Sequence, residues 1–159
     1  MAVRDAQEGG LEQLSYDLAL RTLAQQERVL EELRARTGVL LTATAVVASF
    51  LGGRALQTSG DAWLTLPGAV AAVTSIVLSV YVLLPKPGLM FALHGSAVYE
   101  HFQAEGAPLP EVHRTLAYWS KSAWDDNQTT IDRLIGYFRW ACGFLVLAVV
   151  AWSLELALD

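Results

Sequence analysis

The amino-acid sequence predicts an all-α membrane protein in which three transmembrane helices, at about 37–54, 62–84 and 138–158, carry a small layer of polar helices. Three observations lead there. Hydrophobic residues make up 53% of the 159 residues, more than a soluble domain of this size hides, and they gather in three blocks. Each block approaches or exceeds the ~20 apolar residues that a hydrocarbon core asks of a helix. The parts outside them, roughly 1–36 and 86–135, are too short to bury a large core of their own.

Residues 1–10, MAVRDAQEGG, lack periodicity and end in a Gly pair, so they read as a disordered leader to a single helical membrane domain over 11–158. The first 36 residues carry charges throughout and no apolar h-region, so a cleavable signal peptide is not expected. From Leu11 onward Leu11, Leu14, Leu18, Leu23, Leu30 and Leu33 fit one broad helical face, with Asp17/Arg21 and Glu32/Arg36 as opposite charges at i,i+4. No Pro or Gly interrupts this stretch up to Thr37, so the helix runs unbroken into the first span. Its apolar face covers neighbouring helices or, alternatively, forms an oligomer contact, although the spacing of its apolar residues is not a strict heptad.

The first span is short, and Arg54 extends it by snorkelling. Its small residues recur every four positions as Thr44, Ala48 and Gly52, and the second span repeats the pattern with Ala71, Ser75 and Ser79. Such rows let two backbones approach closely in lipid, either within the hairpin or between copies of the chain. Gly60-Asp61 makes the turn, Trp63 sits at an interface, and Pro67 falls in the first turns of the second helix. Pro85-Lys86-Pro87-Gly88 stops that helix. Beyond it, Ser96 caps a helix over Ala97–Ala104, the run from Glu105 to Pro110 breaks the chain, and a stripe of Val112, Leu116, Trp119, Ala123, Ile131, Leu134 and Phe138 leads into the third span. There Trp140 and Trp152 fit interfacial belts, and Glu155 lies near enough to the outer end to reach water.

Ten of the 11 Lys and Arg residues lie in 1–36 and 86–139. This asymmetry places those regions in the cytoplasm and the C-terminus outside, in a bacterial inner (plasma) membrane. A net charge of −5 with no basic cluster argues against nucleic acid as a partner. The lone Cys142 sits in the third block as a small hydrophobe.

No residues with a catalytic, cofactor-binding or metal-binding pattern emerge. His94, His101 and His113 are broken up by Gly95 and a turn, without HExxH or paired Cys, so no metal site is expected. Asp125 and Asp126 point about 100° apart on a helix and cannot act as a catalytic pair. The bland reading of this region is a solvated face. The sharper one is a ligand or partner face of Tyr118, Trp119, Trp124, Asp125 and Asn127, whose rings stack a base or pack an interface. With no Ser-His-Asp, Walker or GxGxxG pattern, the chain is expected not to be an enzyme.

The segments LEQLSYDLALRTLAQQERVLEELRARTGVLLTATAVVASFLG, VLLPKPGLMFALHGSAVYEHF and YWSKSAWDDNQTTIDRLIGYFRWACGFLVLAVVAW resemble the small bacterial membrane effectors of the Pycsar transmembrane and SLATT-like families. They share an amphipathic helix, a hairpin, cytoplasmic helices and, in the Pycsar-like case, a third span. The resemblance implies a non-enzymatic inner-membrane effector of antiphage (antiviral) defence. A cyclic pyrimidine nucleotide would cause it to form a homo-oligomer that impairs or permeabilises the lipid bilayer. No nucleotide-binding segment is recognisable, so sensing would lie in the cytoplasmic helices or in a partner protein. The alternative is a structural or accessory scaffold subunit whose spans are anchors.

Overall fold

The computed structural model describes residues 2–58, 63–91, 100–102 and 106–158, with side chains throughout except those of 2–9, 56 and 58. The described chain is helical with no strand. Helix α1 covers Ala2–Val47, passes through a π-helical segment at Ala48–Gly52 and continues as α2, Gly53–Thr58. Helix α3 covers Thr65–Leu83 and α4 covers Leu109–Leu158. Three helical stretches, Gly10–Ala55, Thr65–Leu83 and Leu109–Leu158, are long and apolar enough to cross a membrane.

The helix begins at Ala2 and thus takes in the stretch set apart as a leader. Apolar continuity through Thr37 does carry α1 without a break into the first apolar block, and α4 likewise joins the polar helix after Pro110 to the third. Pro108 opens α4, its carbonyl accepting from the Glu111 and Val112 amides at 3.0 and 3.2 Å. Just before it, Gly106 takes φ +63°, a left-handed angle that suits a residue without Cβ, and its N–H reaches the Phe102 carbonyl at 3.1 Å to close the preceding turn. The Gly60-Asp61 turn, the Ser96 cap and His94 lie outside the described residues; of Ala97–Ala104, residues 100–102 are helical.

The stretch 11–158, read as one domain, is shared between two compact units. One holds Met1–Leu30 with Lys86–Ile131, the other Glu31–Pro85 with Asp132–Asp159.

Each long helix buries a seam whose spacing alternates between three and four residues or adds whole heptads. On α1 the seam is Leu23, Gln26, Leu30, Leu33, Thr37 and Thr44; on α3 it is Thr65, Gly68, Ala72, Ser75, Ser79 and Val82. On α4 a strict seven-residue row of Ser120, Asn127, Leu134, Ala141, Ala148 and Glu155 is buried along its whole length. This is knobs-into-holes periodicity with polar residues at half of its positions and small ones at several more. Leu11, Leu14 and Leu18 fall off the seam and are exposed, which splits the single leucine face that the sequence suggested.

Within the second unit the core is built from small side chains around one indole: Ala55, Ala71, Ala72, Ala148 and Trp152, flanked by Val47, Ala48, Leu51, Ala69 and Phe144. The outer faces carry Val39, Phe50, Leu66, Val70, Val77 and Leu147 in exposed positions. A bundle that is small inside and large and apolar outside inverts the pattern of a water-soluble protein and matches helices surrounded by hydrocarbon.

Candidate functional site

In the second unit the two small-residue rows face inward. Thr44, Gly52, Ala71, Ser75 and Ser79 are buried and Ala48 is half-buried. Thr44 Oγ1 donates to the Leu40 carbonyl at 2.8 Å and Ser79 Oγ to the Ser75 carbonyl at 2.8 Å, each back along its own helix. Ser75 instead reaches across, its Oγ donating to the Ala141 carbonyl of α4 at 2.8 Å. Thr44 Oγ1 and Ser75 Oγ stand 3.5 Å apart. Each hydroxyl has one proton, already directed to a carbonyl, so this approach is close packing more than a strong bond. The rows thus join α1, α3 and α4 of one chain.

Trp152 is 3% exposed, so it does not belong to an interfacial belt. Its indole lies over the backbones of Gly52 and Gly68, and its Nε1–H donates to the Thr65 carbonyl at 3.2 Å. One turn on, Glu155 is 8% exposed and does not turn to water. Its Oε2 accepts the Leu64 N–H at 3.2 Å, at the start of α3, where the unpaired amides of a helix favour a negative charge. A burial that leaves a carboxylate in reach of those donors removes the reason to snorkel.

In the first unit Asn127, one residue of the expected ligand face, takes part in a carboxamide network. Asn127, 1% exposed, donates from Nδ2 to the Met90 carbonyl at 2.7 Å and accepts the Met90 N–H at 3.1 Å on Oδ1. The same Nδ2 stands 3.4 Å from Gln26 Oε1, and Gln26 Nε2 donates to the Trp124 carbonyl and to Gln128 Oε1, both at 3.1 Å. Asn127 therefore fixes the backbone that follows the Pro85–Gly88 break to α4 and α1. Trp119 packs with His101 and Phe102, ring centroids 5.4 and 5.9 Å away, while Trp124 and Asp125 are exposed elsewhere on the helix. The five residues Tyr118, Trp119, Trp124, Asp125 and Asn127 do not converge on one face.

One of them, Tyr118, lines a groove that the sequence did not reveal. Leu11, Glu12 and Ser15 of α1 and Arg114, Ala117, Tyr118 and Lys121 of α4 enclose about 330 Å³, within the size range of small-molecule sites. Arg114, Tyr118 and Lys121 follow one another at i, i+4 and i+7, which places two cations on either side of an exposed phenol along one helical face. Arg114 Nη2 pairs with Glu12 Oε1 at 3.0 Å. The other carboxylate oxygen, Glu12 Oε2, is buried without a hydrogen-bond partner, and such an atom is costly unless a donor meets it. The groove therefore offers two cations, Lys121 and an Arg114 already paired with Glu12, beside an apolar and aromatic wall. Beside it, Tyr16 and His113 stack at 5.7 Å.

Among the described residues no group of three His, Cys, Asp or Glu side chains is placed to hold a metal ion. Comparison of the chain with protein-family models, with curated proteins and with solved structures finds no match.

Proposed function

We propose that this protein is a non-enzymatic effector of the bacterial inner membrane, switched by a small ligand that carries an anionic group and a ring. Its three apolar helices cross the bilayer, with the N-terminus and residues 86–137 in the cytoplasm and the C-terminus outside. The observation that carries the reading is the groove of the polar unit, where Arg114 and Lys121 flank Tyr118. A cyclic pyrimidine nucleotide has matching parts: a phosphate for the cations and a ring for Tyr118. Binding at that groove triggers assembly and loss of the membrane barrier, in keeping with the resemblance to Pycsar-type effectors. Titrating the full chain in detergent with cyclic CMP and cyclic UMP tests it. Saturable binding that disappears in Arg114→Ala supports the reading; no binding of either nucleotide removes the trigger.

A second reading, an anchored scaffold subunit, is favoured by one observation. The rows at Thr44 and Ser75 are buried inside a single chain, so they are not free to join copies, and assembly must use the outward apolar faces. A chain that stays monomeric with ligand bound would favour the scaffold.

A further inference from the structure

The α3/α4 side of the second unit carries an ordered sequence of side chains, most of them exposed, with only Phe144 also packed against the core. Along α4, Arg133, Tyr137, Trp140, Phe144 and Leu147 recur at three- and four-residue steps on one helical face. Arg133 is exposed, as are Tyr137, Trp140 and Leu147. From α3, Tyr81 meets Tyr137 edge to face with ring centroids 5.0 Å apart, and Trp140 lies 6.2 Å from Phe144. The helical rise puts Arg133 about 6 Å from Tyr137 and Phe144 about 10 Å beyond it.

The order is cation, paired phenols, indole, then hydrocarbon, and it reproduces the depth profile of one lipid leaflet. A phosphate lies outermost, aromatic rings settle at the headgroup border, and acyl chains follow. The cation selects the lipid: a basic residue at the membrane border favours an anionic headgroup over a neutral one. Asp132, the acidic neighbour, projects about 100° away around α4.

We propose that this face binds one anionic phospholipid, with its phosphate on Arg133, its glycerol region against the Tyr81–Tyr137 pair, and an acyl chain along Trp140, Phe144 and Leu147. The inference rests on the membrane-spanning reading but not on the effector reading. It assigns the lipid as a specific ligand, distinct from the general annulus.

The test places the full-length chain in phosphatidylcholine bilayers, with a fraction of either phosphatidylglycerol or phosphatidylcholine carrying brominated acyl chains, and reads tryptophan quenching. The site predicts an apparent affinity about fivefold higher for the anionic lipid, falling to parity in Arg133→Gln. It also predicts that Trp140→Phe removes most of the preferential quenching while the other tryptophans still respond equally to both lipids. Equal quenching by the two lipids in the native chain overturns the site. Abolition of the preference by added inorganic phosphate overturns it too, because Arg133 would then read free phosphate. Absence of quenching by either lipid overturns the membrane reading along with it.

Discussion

Trp152 occupies the space that a side chain at Gly68 would need. A Cβ built on Gly68 would stand 2.5 Å from Trp152 Nε1, and one on Gly52 3.1 Å from Cζ2 and Cη2 of the same ring. The indole is thus held between two bare backbones and tied to the Thr65 carbonyl. Gly68→Ala is expected to displace the ring and cost about 1–3 kcal/mol, and Trp152→Ala about 3–5 kcal/mol through the cavity it opens. Reversible unfolding of the detergent-solubilised chain, followed by circular dichroism, measures both. Gly10→Ala, inside α1 with open space around it, serves as the control without a clash and is expected to raise stability by up to about 1 kcal/mol.

Glu155 acts at the start of α3. Glu155→Gln keeps an acceptor for the Leu64 amide but removes the charge, with an expected loss of about 0.5–1 kcal/mol. Glu155→Leu leaves that amide without its partner and is expected to cost about 1–3 kcal/mol. The same unfolding assay separates the two, and a Gln variant as damaged as the Leu variant would assign the effect to charge alone.

The Asn127 amide holds both backbone groups of Met90. Asn127→Asp cannot donate to the Met90 carbonyl and brings a charge into a buried site, so it is expected to be worse than Asn127→Ala. Hydrogen–deuterium exchange should show the Met90 amide losing protection in both variants, while amides of α3 keep theirs. Unchanged protection at Met90 would mean that the segment is held by other contacts.

Ser75 and Ala48 separate the two uses of the small-residue rows. Ser75 is fully buried and bonded to α4, so Ser75→Leu is expected to prevent a folded monomer. Ala48 is half-buried beside a groove of about 220 Å³ lined by Gly52, Ala69, Ala72 and Trp152, and Ala48→Leu is expected to be tolerated with a loss near 1 kcal/mol. Size-exclusion chromatography with light scattering reads folded monomer against assembly for each. Loss of assembly in Ser75→Leu with the monomer intact would return the row to an intersubunit role.

The three apolar blocks and the unbroken run of α1 past Thr37 were legible because membrane-length apolar runs and uninterrupted helical composition are strong local signals. The seams were not, because their positions hold Gln26, Thr37, Thr44, Ser120 and Asn127, which a search for apolar heptads passes over. Trp152 and Glu155 were misplaced for a related reason. A Trp and a Glu near a span's end suit an interface as well as an interior, and the deciding partners, Gly68 and the Leu64 amide, are more than 80 residues away in sequence. The π segment at Ala48–Gly52 left no local mark. The ligand face was drawn from residues adjacent in sequence, whereas the groove joins Glu12 to Arg114 across 102 positions, a pairing that only the fold supplies. Tyr118 belongs to both.

The most direct test of the account is ligand-triggered leakage. Proteoliposomes holding the full chain and a self-quenching dye are exposed to cyclic CMP or cyclic UMP, alongside the Arg114→Ala/Lys121→Ala variant. The account predicts dye release on adding one of the nucleotides, absent in the variant, whose substitutions lie at exposed positions of the groove. Native proteoliposomes that stay sealed with nucleotide bound, or that leak equally in the variant, would contradict it.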